Sequence, residues 1–156
     1  MICQMAQTST ERTAEEAASI LELLGGKKTL GAAPRTDKEY IRIVRVGLPF
    51  NAFRKAADAL DLSFKAIEDT LRLPTRTMHR RKAGRLTPIE SERVMRLVRV
   101  AARAEHVLGD RAAALDWLSS PNQALGGEQP IDLLDTDLGA EQVLQVLGRI
   151  EFGVYT

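Results

Sequence analysis

Cysteine is almost missing from this 156-residue chain: Cys3 is the only one. No disulfide and no thiolate-bound zinc can therefore form within a single copy, and a reducing compartment fits. Aromatic residues amount to 4%, which leaves the core to Leu, Val, Ile and Ala. Histidine occurs twice, at His79 and His106, too far apart in sequence to imply a shared site. No apolar run approaches the roughly 18 residues of a membrane span. The opening MICQMAQTST lacks the basic segment and the long apolar core of a secretory signal. These absences give a cytoplasmic chain with no membrane segment. Without a metal-ligand spacing, a Cys–His pair or convergent carboxylates, they also argue against an enzyme and against any cofactor or metal.

What is present is charge, unevenly placed. Charged residues make up 28% and apolar residues 44%, ordinary values for a globular chain of one domain or two small ones. From Glu105 onward there are nine acids against two arginines, a local net of −7, so residues 1–104 carry +8. Such a split points to halves with different partners, the first of them nucleic acid. The alternative is a dipolar surface without function.

Nearly every segment carries helical punctuation, and none alternates with period two, so the expected fold is all-α. Thr13 caps a first helix that stops at Gly25 and Gly26, and GKKTLGAAPR reads as a linker. TDKEYIRIVRV and FNAFRKAADALD follow, the latter with Phe50, Phe53, Ala57 and Leu60 on one face. Ser63 caps SFKAIEDTLRL, and Pro74 can open the next helix, TRTMHRRKAGR, from its first turn. Thr87, Pro88 and Glu90 form a capping box with a proline start for the longest helix. Its expected apolar stripe is Ile89, Val94, Leu97, Val98, Ala101, Ala104, Val107 and Leu108, and it ends at Gly109. Asp110 caps a shorter helix to Leu118, with Trp117 assigned to the core. The final helix ends at Gly153.

Two stretches carry the functional argument. SFKAIEDTLRL-P-TRTMHRRKAGR has the length and spacing of a helix-turn-helix. Ile67, Leu71, Leu73 and Met78 would hold it to the core. That leaves Thr75, Arg76, Thr77, His79, Arg80, Arg81, Lys82 and Arg85 as candidate DNA contacts. Residues 75–86 contain no acid. Cations there neutralise phosphates and release counterions, and arginine can also grip guanine through two hydrogen bonds. A solvated basic face is the alternative. The second stretch, PNQALGGEQP, fails as a phosphate loop: a helix precedes it, no lysine follows, and Glu128, Asp132, Asp135 and Asp137 would repel an anion.

From Ala104 the chain resembles the toxin-binding domain shared by Xre, MbcA and ParS antitoxins, most closely that of RES–Xre toxin–antitoxin modules. The resemblance rests on an AxxxxG helix end at Ala104–Gly109, DxxxAxxWL at Asp110–Leu118 and P-N-x-A-L-x-G-x-x-P at Pro121–Pro130. It continues through P-x-x-L-L at Pro130–Leu134 and a closing G-R-I-E-x-G-x at Gly148–Val154. Upstream, R-T-M-H-R-R and L-T-P-x-E-S-x-R resemble the family's helix-turn-helix region, so the match covers roughly residues 50–156.

The expected division is an N-terminal helix and linker (1–35), which carries no motif of the family, a helix-turn-helix DNA-binding region (36–104) and a toxin-binding domain (105–156). The resemblance implies an antitoxin that covers the active site of a RES-domain, NAD-degrading toxin and represses its own operon by binding operator DNA. A homodimer that forms hetero-oligomers with toxin is expected, since helix-turn-helix proteins commonly read paired half-sites. The implied toxin contacts are Asn122, Leu125, Gly126, Gly127, Pro130, Arg149, Glu151, Phe152, Gly153, Val154, Tyr155 and Thr156. Phe152 and Tyr155 either fill apolar volume on the toxin or pack against Trp117 and Leu118. A stand-alone regulator with a C-terminal dimerisation or ligand domain is the competing reading.

Overall fold

The computed structural model describes residues 14–74, 76, 80 and 84–153. Thr13 and Met78, assigned above to a cap and to the core, lie outside them. The described residues form helices, with no strand among them and one isolated antiparallel bridge between Pro49 and Arg85.

Helix α1 covers residues 14–23 and buries Ala17, Ile20 and Leu23. The expected linker contains a further turn of helix, α2 (Gly26–Leu30). Gly25 turns the chain at φ 91°, and Leu30 is buried. One apolar anchor is enough to order a segment whose lysines and glycines read as a loop. Helix α3 (Asp37–Val46) begins at a capping box between Thr36 and Glu39. Helices α4 (Phe50–Ala59) and α5 (Phe64–Thr70) are pinned by three rings, with Phe50–Phe53 centroids 5.5 Å apart and Phe53–Phe64 5.7 Å apart. Pairs of this kind add roughly 0.5–1.5 kcal/mol beyond area burial.

Helix α6 (Pro88–Leu108) is the axis of the molecule. Its start is the anticipated capping box: the Glu90 amide donates to Thr87 Oγ1 at 3.1 Å, and the Thr87 amide to Glu90 Oε2 at 2.7 Å. It packs against α3, α7 (Arg111–Leu118) and α8 (Asp137–Glu151). Contact on several sides explains why Met95, Val100 and Ala102 are buried along with the expected Val94, Leu97, Val98, Ala101 and Ala104. Val107 and Leu108 are only partly buried, and Ile89, expected in the same stripe, is 65% exposed. It stands five residues before Val94, about 140° round the helix, and lines an open groove between α3, α6 and α8. Trp117 packs on the core from its edge, half-buried.

Between α7 and α8 lie two 3-10 turns, Gln123–Leu125 and Pro130–Asp135. Leu125, Pro130, Ile131 and Leu134 point inward and seat them against the core. Gly139, in the first turn of α8, is buried against the carbonyl of Leu133, where a Cβ would collide with backbone. Helix and turn therefore approach more closely than any side chain allows.

Candidate nucleic-acid and partner-binding surfaces

The basic segment is bracketed by fixed structure at both ends. Before it, Leu71 closes α5, and Arg72 takes the left-handed conformation at φ 53°, an uncommon one for a side-chain-bearing residue. The Arg72 carbonyl accepts from the Arg93 guanidinium at 2.8 Å, and its own guanidinium lies 3.6 Å from Asp135. After it, the Phe50 amide donates to the Gly84 carbonyl at 2.9 Å and the Leu86 amide to that of Leu48 at 2.8 Å. The Leu48 amide in turn donates to the buried Ser91 hydroxyl at 2.8 Å. Gly47, at φ 104°, lets this strap pass against the Leu86 carbonyl.

Of the residues singled out for DNA, Arg76 and Arg80 are helical and exposed. Four positions apart, they share one helix face. Arg85 is exposed, and its guanidinium donates to the Gly47 carbonyl at 2.8 Å, which holds the strap. Thr75, Thr77, His79, Arg81 and Lys82 lie outside the described residues. Ile67, Leu71 and Leu73 are buried, as a helix-turn-helix requires.

At the other end, the Asn122 side chain accepts from the Ala124 amide at 2.9 Å and its carbonyl from the Gly127 amide at 2.9 Å. Its own amide donates to the Glu128 carbonyl at 3.0 Å. Asn122 is thus the internal frame of the turn. Leu125 and Pro130 are its buried anchors. Gly126 and Gly127, at φ 70° and 85°, are exposed, with open space where a Cβ would stand. Their outward face is bare backbone that a partner can approach closely.

The last turn of α8 divides its residues. Arg149 is exposed, Phe152 is 66% exposed, and Gly153 is exposed at φ 67°. Glu151 turns inward and pairs with Arg103, whose other nitrogen reaches Glu16 at 2.6 Å. His106 lies 3.1 Å from Glu15 and 3.8 Å from Glu151. Alongside, Arg111 pairs with Glu105 at 3.3 Å and Glu22 at 3.5 Å. Helix α1 is thereby tied by charge to the C-terminal end of α6 and to the last turn of α8. Val154, Tyr155 and Thr156 lie outside the described residues. Sequence reasoning missed Arg103 and His106; only their i, i+3 spacing on one helix face hinted that they act together.

Together, this is a helix-turn-helix domain followed by a small helical domain built on the same axial helix, the build of a helix-turn-helix antitoxin. Residues 39–99 match the family model for the antitoxin Xre-like helix-turn-helix domain. Residues 103–153 match that for the antitoxin Xre/MbcA/ParS C-terminal toxin-binding domain.

Among relatives, the antitoxin Xre of Yersinia enterocolitica is 42% identical over 87 residues, which cover 54% of this chain and 59% of that protein. The Prs ADP-ribosylating antitoxin of Sphingobium sp. is 32% identical over 139 residues, 82% of this chain and 86% of that protein. The antitoxin Xre of Photorhabdus laumondii is 31% identical over 130 residues, 81% and 88% of the two chains. The chain belongs to the Xre/MbcA/ParS antitoxin family and is an antitoxin of a toxin–antitoxin system, with an Xre-like helix-turn-helix.

Proposed function

We propose that the chain neutralises a RES-domain toxin that degrades NAD, by covering the toxin's active site, and that it represses its own operon by binding operator DNA. It acts in the cytoplasm, as a homodimer on DNA and as a hetero-oligomer with toxin. The observation that carries the toxin reading is the outward face of the C-terminal domain. There the bare backbone of Gly126 and Gly127, the exposed Phe152 and the exposed Arg149 belong to the last third of the chain, residues 105–156, with net charge −7. A pocket built for an anionic dinucleotide is cationic, so an acidic partner is steered to it. Aromatic and arginine side chains are the usual anchors of such interfaces. Glu151, engaged with Arg103, acts by fixing the direction of the tail, and Asn122, Leu125 and Pro130 act by shaping the turn. The residues of the tail, Gly153, Val154, Tyr155 and Thr156, close over the pocket entrance. The exposed Arg76 and Arg80, held between two fixed ends, support the DNA reading.

The test is co-expression with the cognate toxin, reading cell survival and cellular NAD. The full chain should preserve both. A chain lacking residues 153–156, or carrying Phe152→Asp, should lose protection while retaining its melting temperature and operator binding. Full protection by both variants would remove the tail from the mechanism. Toxicity with NAD unchanged but a protein target ADP-ribosylated would replace NAD degradation with the chemistry named for the Sphingobium relative.

A further inference from the structure

One large surface is used by neither reading. Helices α3, α6 and α8 enclose an open groove of about 570 Å³, floored by Tyr40, Met95, Val100 and Ala140. Its rim carries Ile41, 48% exposed, and Ile89, 65% exposed. Two of the six large apolar side chains exposed among the described residues therefore sit on this one face. An apolar patch on a water-exposed surface marks an interaction site more often than it marks nothing.

The charge around it selects the occupant. The lining holds four acids, Asp37, Glu92, Asp137 and Glu141, against three bases, Arg45, Arg96 and Arg99. Arg96 is already bound to Asp137. Asp37, Glu92, Glu141, Arg45 and Arg99 form no ion pair among the described residues. A nucleic-acid surface would be basic, and a partner of one charge sign would leave part of these groups opposed. Three acids and two bases around an apolar centre match a surface that carries both signs in the same arrangement. In a two-fold interface the same patch faces itself, so the acids of one copy meet the bases of the other.

We propose that this groove is the two-fold homodimer interface of the antitoxin. Ile41 and Ile89 of each copy enter the groove of the other, and Arg45 and Arg99 pair across the axis with Glu92 and Glu141. The inference rests on the dimer in the functional reading and adds the surface that forms it. None of Arg76, Arg80, Gly126 and Gly127 lines the groove, so the dimer uses residues other than those assigned to DNA and to the turn.

The experiment is sedimentation velocity of the full chain across the micromolar range, for the wild type, Ile89→Asp, Arg99→Glu, and Arg99→Glu combined with Arg45→Glu, Glu92→Arg and Glu141→Arg. Leu138→Asp, at an exposed apolar residue that does not line the groove, is the control. Circular dichroism melts verify that each variant is folded; Ile89 is exposed enough that the charge does not enter the core. Expected are a wild-type dimer, a dimer Kd raised about tenfold or more by Ile89→Asp and by Arg99→Glu, recovery in the combined variant and no change in the control. A dimer untouched by Ile89→Asp overturns the surface while leaving dimerisation intact. A wild-type monomer overturns both, and if the groove is then protected from hydrogen exchange only when toxin is added, the face belongs to the toxin. Neither failure bears on neutralisation, which is read separately by survival and NAD.

Discussion

Replacing Arg103 by Met keeps the length of the side chain and removes its charge, which takes away the guanidinium that joins Glu16 to Glu151. In the wild type the guanidinium reaches Glu16 at 2.6 Å and Glu151 through its other nitrogen, with the three side chains 20%, 27% and 15% exposed. Exposed ion pairs contribute about 0.2–1 kcal/mol, and breaking a fully buried pair costs roughly 3–5 kcal/mol. This junction lies between the two, so the expected loss is about 2 kcal/mol. A chain of this size loses about 2–4 °C of melting temperature per kcal/mol, a drop of about 4–8 °C. Calorimetry measures it directly. The diagnostic step is to add Glu151→Gln to Arg103→Met: with the arginine gone, neutralising one carboxylate should restore part of the loss, whereas Glu151→Gln alone should destabilise. The reasoning fails if Arg103→Met melts within about 1 °C of the wild type, or if the second substitution restores nothing.

Gly139→Ala should destabilise, although alanine normally gains about 1 kcal/mol over glycine inside a helix, because its Cβ meets the Leu133 backbone carbonyl; urea titration should give a loss of about 2 kcal/mol or more. Burial, and secondarily Glu39, pushes the Tyr40 phenol from 10 up to about 12. The folded chain thus keeps a proton that the unfolded chain releases, so stability is full below pH 10 and drains toward pH 12, by up to about 2–3 kcal/mol. Tyr40→Phe loses the hydrogen bond to the Ala17 carbonyl but should show a flatter alkaline limb in melts against pH. Arg80→Ala should weaken operator binding and lower the salt slope by about one if a phosphate contact is lost; an unchanged affinity and slope would remove it from the interface.

Local chemistry made most of the helices legible. Thr36, Ser63, Thr87 and Asp110 each accept a hydrogen bond from an amide of the helix that follows, as short polar residues before apolar runs do. The turn motif was legible as a turn between helices, and Asn122, Leu125 and Pro130 show how its residues divide between frame and anchors. What escaped was non-local. Arg103 and Glu16 are 87 positions apart, so no window of sequence could pair them. Glu151, grouped by its motif with the outward tail, is turned inward by a partner that its motif does not contain.

The axial helix carries a last consequence. Residues 39–99 and 103–153 match different family domains, yet the change from one to the other falls inside Pro88–Leu108, an unbroken 21-residue helix. No hinge separates the helix-turn-helix domain from the C-terminal domain, only a shaft about 32 Å long. The angle between the two working faces is therefore set by a residue count: each residue inserted between positions 99 and 103 would turn one face about 100° relative to the other and move it about 1.5 Å along the axis. Exchanging the C-terminal domain for that of another antitoxin is accordingly a problem of phase, solved by splicing helix to helix in register.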